Sequence, residues 1–401
     1  MEKKVAIILV NYNAQQYMDE FLGSVYLQDY SNIEIVLVDN MSTDSSIAWL
    51  KDNASSVCVI ELQENVGFGE GCNIGMRYAI EELGAEYVLL LNIDTVLQPN
   101  LISELQRYAD ESTVVTSRIY CGDKKGALEP WYAGGEIDRS TAQINQLLYP
   151  VPESEVYEVG FISGCCMMLH KKVIDKIGYF DRQFFLYYED TDYCVRLQNA
   201  GIAMKYITTT SLWHKVGGSS LGGSEASCST QYYVTRNRLL FAEKYSWLFL
   251  EGNLSILRKI LEERAFFDGM DNAKHRFYVQ TAIADHLKGH YGKGYYGRAL
   301  LEKGYYMANG FYEKEDGGEQ YWYWASERCA TVYLANPRRQ SGVYKVSFEL
   351  SPAIEGNKQM LEVAINGKDR AEYSMPGHVE FAVPISGEGV VRLDLTFWGT
   401  E

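Results

Sequence analysis

The sequence predicts an α/β domain with a mostly parallel, Rossmann-like sheet over residues 1–245. A helical extension or linker over 246–308 and an all-β, sandwich-like accessory module over 309–401 follow it. In the first 110 residues, short apolar runs typical of buried strands alternate with stretches that begin with helix-capping residues or glycines. After about residue 310 the hydrophobic period becomes two, which is typical of strands with one buried face.

Four apolar runs in the first part each end in polar residues. The runs are VAIILV, IEIVLV, SVCVIEL and YVLLL, and their polar ends are Asn11 and Asn13, Asp39–Asn40, Asn65, and Asn92–Ile93–Asp94. The carboxyl ends of parallel strands share one edge of a sheet, where ligands bind. The sequence therefore predicts one site assembled from distant segments.

The middle of the chain continues the alternation. VGFISGCCMML predicts a strand, followed by a helix that ends near Gly178, and a second helix is expected from Glu189 to about residue 200. A further strand ends at Trp213–His214. The Gly- and Ser-rich residues 217–227 are predicted to be mobile, and residues 229–305 mainly helical.

The last part carries the period-two pattern. YKVSFEL places Tyr344, Val346, Phe348 and Leu350 on one face of a strand. In LEVAINGKDR, Asn366–Gly367 is a strong signal for a hairpin turn.

Composition excludes some classes of protein. A formal net charge of -16 argues against non-specific binding to nucleic acid, which needs clustered Lys and Arg. Eight cysteines without a CxxC pair indicate reduced thiols in a cytosolic protein. The N-terminal apolar run is too short for a signal peptide or a membrane span. The 31 Tyr and 7 Trp suit sugar rings, and equally an aromatic core.

Two residues suggest a metal site. Asp94, at the end of a strand, has the carboxylate that a hard divalent cation prefers, and His214 would supply a second ligand. Either residue in isolation is also typical of a purely structural role.

Two acids suggest a base. Glu189 and Asp190 lie in the predicted first turn of a helix, whose dipole favours ionised carboxylates there. An ionised carboxylate can take a proton from an attacking hydroxyl. Simple helix capping is the commoner explanation for an isolated acidic pair, and Asp192 is assigned to capping. The aromatic residues 184–188 would help to wall an acceptor pocket.

The glycine-rich stretch NVGFGEGCN, residues 65–73, opens a helix. It is neither a Walker A sequence nor a dinucleotide-binding fingerprint. The expectation is that its backbone approaches a nucleotide sugar closely.

Seven motifs together resemble a family 2 glycosyltransferase. They are VAIILVNYN, EIVLVDNMSTDSS, NVGFGEGCNIG, LLLNIDTV, FISGCCMML, GYFDRQFFLYYEDTDYCVRL and LWHKVGGSS, in the expected order over about residues 4–245. The rhamnosyltransferase-like and galactofuranosyltransferase-like subgroup is the most similar. The resemblance implies the A-type glycosyltransferase fold, an inverting mechanism, a nucleotide-diphosphate sugar donor and Mg²⁺ or Mn²⁺.

The resemblance also implies roles for individual residues. Asp190 matches the catalytic base and Glu189 the acid before it, Asp94 the second acid of the metal motif, and His214 the histidine that completes the metal site. The segments that match donor nucleotide-binding ones contain Val10, Asn11, Asn13, Asp39, Asn40, Asn65, Gly69, Asn73, Asn92 and Ile93. Asn92 stands where the first acid of the metal motif usually lies. The residues predicted for the acceptor side are Trp131, Gly164, Trp213 and Arg236.

The favoured function is transfer of a sugar, rhamnose first, from a dTDP- or UDP-sugar to a growing bacterial surface polysaccharide. A lipid-linked acceptor would bring a cytoplasmic protein to the inner face of the membrane, and assembly into a homo-oligomer is a further expectation. One alternative is a nucleotidyltransferase, although VNYNAQQY lacks the Lys or Arg of its glycine loop. The other is a non-catalytic sugar-binding protein that works through the β-module, where YWYW at 321–324 would suit a sugar platform.

Overall fold

The fold is described from a computed structural model of the chain. It describes residues 2–122, 130–146, 154–215, 228–249, 256, 259–260, 273–294, 305–309, 315–316, 321–322, 325, 328–335, 341–351, 359–385 and 390–399. The segment 217–227, predicted to be mobile, lies outside these residues, as do 323–324. The chain forms two compact units: Met1–Leu257 with Tyr291–Lys293, and Arg258–His290 with Gly294–Glu401. The predicted division at residues 245 and 308 stays a prediction.

The first unit is built on one large sheet. Its strands are β1 (Val5–Asn11), β2 (Ile33–Asp39), β3 (Cys58–Glu61), β4 (Tyr87–Leu91), β5 (Thr95–Leu97), β6 (Thr113–Cys121), β7 (Pro130–Tyr132), β10 (Val156–Glu158), β11 (Cys166–His170) and β12 (Ala203–His214). A separate hairpin pairs β8 (Glu136–Ile137) with β9 (Ile144–Asn145).

The main path of the sheet runs β10-β12-β6-β11-β4-β1-β2-β3. The pairs β1/β2, β1/β4, β2/β3 and β6/β12 are parallel, whereas β11 is antiparallel to both its neighbours. Strand β5 pairs with β12, and β7 with β6, both antiparallel. The predicted α/β domain with a mostly parallel sheet is confirmed.

Seven α-helices are described in this unit. They are α1 (Gln15–Tyr26), α2 (Ser46–Asn53), α3 (Phe68–Glu81), α4 (Leu101–Tyr108), α5 (Lys171–Ile177), α6 (Glu189–Asn199) and α7 (Cys228–Lys244), and a 3₁₀ turn covers Ser246–Leu248. Helix α3 packs very close to β1, because a Cβ at Gly75 would lie 2.5 Å from Ile8 Cγ2. The strands β1 and β4 are buried along nearly their whole length, as their continuous apolar runs predict.

The second unit is mainly antiparallel β-structure. Its strands are β13 (Tyr305–Asn309), β14 (Glu315–Asp316), β15 (Tyr321–Trp322), β16 (Cys329–Ala335), β17 (Gly342–Leu350), β18 (Gln359–Ile365), β19 (Asp369–Met375), β20 (Gly377–Ile385) and β21 (Val390–Gly399). A five-stranded sheet β13-β16-β21-β18-β19 and the pair β17-β20 enclose one apolar core, which confirms the C-terminal β-module. Helix α8 (Ala273–Leu287) belongs to the same unit, and its Gln280 accepts a hydrogen bond from Tyr333.

Two local predictions for this module are confirmed. Tyr344, Val346, Phe348 and Leu350 all pack against the core from β17. Asn366 and Gly367 both have positive φ, 50° and 74°, between β18 and β19, as a tight hairpin turn requires. In the part of the chain that the structure covers, no helix is both long and apolar enough to cross a membrane.

Candidate active site

The ends of β1 and β2 form the first corner of the site. Asn11 and Asp39 are neighbours across the parallel pair, and Asn11 Nδ2 donates to Asp39 Oδ1 at 2.7 Å. Asp39 Oδ2 accepts a hydrogen bond from the Ser42 backbone N–H at 3.0 Å. The Asn11 Oδ1 atom is buried and has no hydrogen-bond partner among the described residues. A buried carbonyl oxygen in that state leaves an acceptor for a bound N–H group.

Asn13 organises the loop that follows β2. It adopts a left-handed conformation with φ of 54°, and its Oδ1 accepts from the backbone N–H groups of Thr43 and Asp44, at 2.7 and 3.2 Å. These hydrogen bonds therefore link the end of β1 to the loop after β2 on the solvent side as well.

Asn40 connects the end of β2 to the glycine-rich turn. Its Oδ1 accepts from Val66 N at 2.8 Å, and its Nδ2 donates to Gly67 O at 3.1 Å. Asn65 Oδ1 accepts from Gly67 N at 3.0 Å. Asn40 is buried, so its side chain fixes the turn at the start of α3.

Four residues predicted to bind the donor nucleotide lie in packing positions. Asn73 is buried and its amide is bonded in both directions to the backbone of Phe180, at 3.0 and 2.9 Å. Ile93 belongs to the apolar core, and Val10 packs against Gly71 of α3. Gly69 lies beneath Glu189, where an added Cβ would be 3.3 Å from the Glu189 Cβ.

Asp94 and His214 meet because β5 pairs with the end of β12. Thr95 lies opposite His214, and Lys215 N donates to Asp94 O at 2.8 Å. His214 Nε2 is 3.1 Å from Asp94 Oδ1 and 3.1 Å from Asn92 Nδ2. The sequence predicted a shared site for these residues, and the structure brings all three together.

The pair Asp94–His214 fits a divalent cation. Ligands at right angles around an ion with bonds of about 2.0–2.1 Å are themselves about 3 Å apart, which is the spacing of Asp94 Oδ1 and His214 Nε2. Within the described ranges, no group of three or more His, Cys, Asp or Glu side chains could hold a metal. Two protein ligands suit an ion that takes its remaining ligands from substrate phosphates and water.

His214 is a strong proton acceptor in the absence of a metal. Burial opposes the charged imidazolium, but Cys165 and Asp94 favour it, and the pKa of His214 is raised to about 11. A cation that binds Nε2 must displace this proton, so metal binding here depends on pH.

The two tryptophans predicted for the acceptor side lie in different surroundings. Trp131, on β7, is partly exposed and its ring centroid is 5.5 Å from that of His214. Trp213 is buried and stacks on Tyr120 at 5.5 Å. Because successive residues of a strand point to opposite faces, Trp213 faces away from His214. Trp131 therefore lies beside the candidate site, whereas Trp213 is a buried packing residue.

Glu189 and Asp190 begin α6, as predicted. Asp190 Oδ2 accepts from Gly164 N at 3.0 Å, and Asp190 Oδ1 accepts from Thr191 N at 2.7 Å. Gly164 thus supports the candidate base, although it was predicted for the acceptor side. Glu189 is buried, and its Oε2 has no hydrogen-bond partner in the described part of the chain.

The two acids have raised pKa values. Burial raises the pKa of the Asp190 carboxyl, and the hydrogen bonds from Gly164 and Thr191 offset only part of that rise. Burial and the charge of Asp190 raise the pKa of Glu189 well above its usual value. Glu189 therefore keeps its proton at pH values where an ordinary glutamate is ionised, which removes a like charge from beside Asp190.

The connection from β10 to β11 joins the two halves of the site. Gly164 bonds to Asp190, and the next residue, Cys165, accepts a hydrogen bond from Asn92 N at 3.3 Å. A Cβ at Gly164 would lie 3.1 Å from the ring of Phe68, at the start of α3. The candidate base Asp190, the Asp94–His214 pair and the glycine-rich turn are thus parts of one contiguous candidate site.

Two predicted roles are wrong. Arg236 is fully buried on α7 and hydrogen-bonds to Asn237 and Tyr232, so it is not exposed to an acceptor. Asp192 does not cap α6; it is fully buried and pairs with Arg196 at 2.9 Å and Lys244 at 2.6 Å. Both residues act in packing between α6, α7 and the loop before α6.

Some of the aromatic residues predicted to wall an acceptor pocket are buried as well. Phe184 and Tyr188 are buried, and the Tyr188 ring packs on Phe241 of α7. Asn237, to which the sequence assigned no role, donates hydrogen bonds to three backbone carbonyls of this segment. No local signal marks it, because its partners are backbone carbonyls some fifty residues away in sequence.

Comparison with known proteins identifies this part of the chain. Residues 6–178 match the family model "Glycosyl transferase family 2". These residues are a family 2 glycosyltransferase domain. The domain covers β1 to β11 and α1 to α5, and it contains the Asn11–Asp39 corner, the glycine-rich turn and Asp94.

Three relatives of this glycosyltransferase domain are similar over longer stretches. The low-salt glycan biosynthesis hexosyltransferase Agl10 of Haloferax volcanii is 30% identical over 49% of this chain and 62% of that protein. The dTDP-rhamnosyl transferase RfbF of Shigella flexneri is 25% identical over 61% of this chain and 81% of that protein. The N-acetylglucosaminyl-diphospho-decaprenol L-rhamnosyltransferase of Mycobacterium tuberculosis is 23% identical over 53% and 76%. The chain thus spans less than two thirds of the length of Agl10.

Among solved structures, GalNAc-T7 with UDP, GalNAc and Mn²⁺ aligns with a TM-score of 0.48. The identity is 16%, and the alignment covers 61% of this chain and 50% of that one.

Proposed function

We propose that this protein is an inverting hexosyltransferase with a nucleotide-diphosphate sugar donor, rhamnose being the favoured sugar. The observation that carries the proposal is the Asp190 carboxylate, held by two backbone N–H groups and with a raised pKa, beside the strand ends of a family 2 glycosyltransferase domain. Two relatives named as rhamnosyltransferases support the choice of sugar.

In the proposed reaction Asp190 takes the proton from a hydroxyl group of the acceptor. The acceptor oxygen forms a bond to the anomeric carbon while the bond from that carbon to the diphosphate breaks, so the configuration inverts and a nucleoside diphosphate leaves. The raised pKa makes Asp190 a better proton acceptor than an ordinary aspartate. Protonated Glu189 removes a like charge from directly beside the Asp190 carboxylate.

The donor would bind at the strand ends. Asn11 Oδ1, unpartnered in the part of the chain described above, would accept from the ring N–H of a uracil or thymine base, and Asp39 lies beside it. Asp94 and His214 would hold a Mg²⁺ or Mn²⁺ ion, which when bound neutralises charge on the diphosphate. Trp131, beside His214, offers an apolar ring face to a sugar.

The acceptor is proposed to be a growing bacterial surface polysaccharide carried on a lipid diphosphate. The name of the mycobacterial relative contains N-acetylglucosaminyl-diphospho-decaprenol, which supports a carrier of this class. The protein would then work in the cytoplasm, at the inner face of the membrane.

The test is a thermal-shift panel with dTDP-rhamnose, UDP-glucose and UDP-N-acetylglucosamine, each with Mn²⁺ or with a chelator. A ligand at a hundred times its Kd stabilises the folded state by about 2.7 kcal/mol, so one donor should raise the Tm by several degrees. Asp94→Ala should abolish the metal-dependent part of the shift. Asp19→Ala, at an exposed carboxylate on α1, is the matched control and should keep it. No shift with any donor in the folded protein would contradict the proposal.

A further inference from the structure

The backbone that leads into α6 has an unusual conformation. Phe185, Tyr187 and Tyr188 all have positive φ, between 55° and 72°, although none of them is glycine. Side chains with a Cβ rarely adopt this region, and such residues persist only where the surroundings hold them. We call residues 183–188 the base segment, because Glu189 and Asp190 follow it directly.

Asn237 holds the base segment through its side-chain amide. Its Nδ2 donates to the carbonyl oxygens of Phe184, Leu186 and Tyr187, at 2.6, 2.9 and 2.8 Å. An amide nitrogen has two hydrogens, so three carbonyls share two N–H groups. Only a donor can occupy this position, since an oxygen there would face three carbonyl oxygens.

Arg236 fixes the orientation of that amide. Its Nε and Nη2 both donate to Asn237 Oδ1 at 3.0 Å, which leaves Nδ2 to face the base segment. The guanidinium is fully buried and lies over the rings of Tyr232 and Tyr233, at 5.2 and 5.1 Å. Among the described residues no carboxylate forms an ion pair with Arg236. Besides Asn237 Oδ1, the guanidinium donates to the Tyr232 hydroxyl at 3.2 Å and to the Gln183 carbonyl oxygen at 3.4 Å.

The other side of the base segment contacts the glycine-rich turn. Phe68 N donates to Phe185 O at 2.8 Å, and a Cβ at Gly67 would lie 2.2 Å from that oxygen. The Phe185 ring stacks on Tyr233 of α7 at 5.0 Å. The base segment is therefore enclosed between the start of α3, on the proposed donor side, and α7.

We propose that Asn237, oriented by Arg236, is a positioning residue for catalysis: it holds the base segment so that the Asp190 carboxylate meets Gly164 N and the acceptor hydroxyl. The inference rests on the proposed function, in which Asp190 is the base. A misplacement of about 1 Å at such a group can lower a rate about a hundredfold, so a small relaxation of the segment is sufficient.

The experiment compares Asn237→Ala and Arg236→Lys with the unchanged enzyme, using the donor identified in the thermal-shift panel. Asn237→Ala removes the amide that donates to the base segment, whereas Arg236→Lys removes the guanidinium that orients this amide. We expect kcat to fall at least tenfold in Asn237→Ala, and less in Arg236→Lys, while the donor KM changes less than threefold. The acid limb of the kcat profile should move to higher pH, because Asp190 loses the Gly164 hydrogen bond that favours its ionised form.

Leu240→Ala is the matched control, since Leu240 is a buried residue of the same helix. It should lower the Tm but leave the acid limb in place. A second readout does not depend on activity: amide hydrogen exchange in residues 184–190 should accelerate in Asn237→Ala and not in Leu240→Ala.

The outcomes separate this inference from the proposed function. If Asp190→Asn keeps its turnover, the base assignment and this inference fail together. If Asp190→Asn is inactive while Asn237→Ala keeps full kcat, this inference alone is wrong. The inference is also wrong if Leu240→Ala lowers kcat as much as Asn237→Ala does at the same Tm, and if no variant shifts the acid limb.

Discussion

Replacing Asp190 with asparagine tests the proposed chemistry most directly, and the structure shows what the change does. Both carboxylate oxygens accept a backbone N–H, from Gly164 and Thr191, at 3.0 and 2.7 Å. Asparagine keeps one oxygen, and its NH₂ group must face one of these two donors. A buried N–H left without a partner costs about 1–3 kcal/mol. For a unit of this size we expect the Tm to fall by about 2–10 °C.

Activity should fall far more than stability. An amide cannot accept the proton of the acceptor hydroxyl, and loss of a general base costs about 10²–10⁴-fold in rate. That corresponds to about 3–5 kcal/mol of transition-state stabilisation. Binding of the nucleoside diphosphate should change less than threefold, because the groups proposed to bind it, such as Asn11 and Asp39, lie on other elements. Turnover by nucleotide release and nucleotide binding by calorimetry measure the two effects separately.

Asp192→Asn is the matched control for this variant. Like Asp190, Asp192 is an acid in the first turn of α6, but it is fully buried and pairs with Arg196 and Lys244. It should lower the Tm at least as much as Asp190→Asn while costing much less in kcat. The reasoning would be refuted if Asp190→Asn kept kcat within about tenfold, or if it lost nucleotide binding.

Three further predictions concern the rest of the site. In Asp94→Ala and in His214→Ala, the Mn²⁺ concentration needed for half-maximal activity should rise more than tenfold, and an unchanged requirement would remove both from the metal site. Gly67→Ala should lower the free energy of unfolding by about 2 kcal/mol or more in urea titrations, because Gly67 has φ of 90° and a Cβ would meet Phe185 O. Glu189 has a raised pKa, so the folded state keeps a proton that the unfolded chain releases, and stability should fall as pH rises from about 4.5 towards the raised value. Glu189→Gln should reduce the fall of Tm with rising pH. If this fall is unchanged, another group causes it.

The sequence was sufficient where the physics is local or periodic. Continuous apolar runs predicted β1 and β4, because a strand whose two faces are both buried carries apolar side chains on each of them. Asn366–Gly367 predicted a tight turn, because such a turn needs positive φ and these two residue types adopt it readily. The edge of a parallel sheet then placed Asn11, Asp39 and Asp94 near one site before any contact was known.

Only the tertiary structure decided how the side chains pair. His214 reaches Asp94 because β12 pairs with β5 in one register, which the composition of neither strand specifies. Arg236 looked available to an acceptor, since a charged residue on a helix is usually exposed, but α7 buries it against the base segment. Asn237 could not be found from sequence at all, because its partners are carbonyl groups that every residue carries. Which polar groups meet is a property of the packed chain, whereas which segments become strands and helices is largely a property of the sequence.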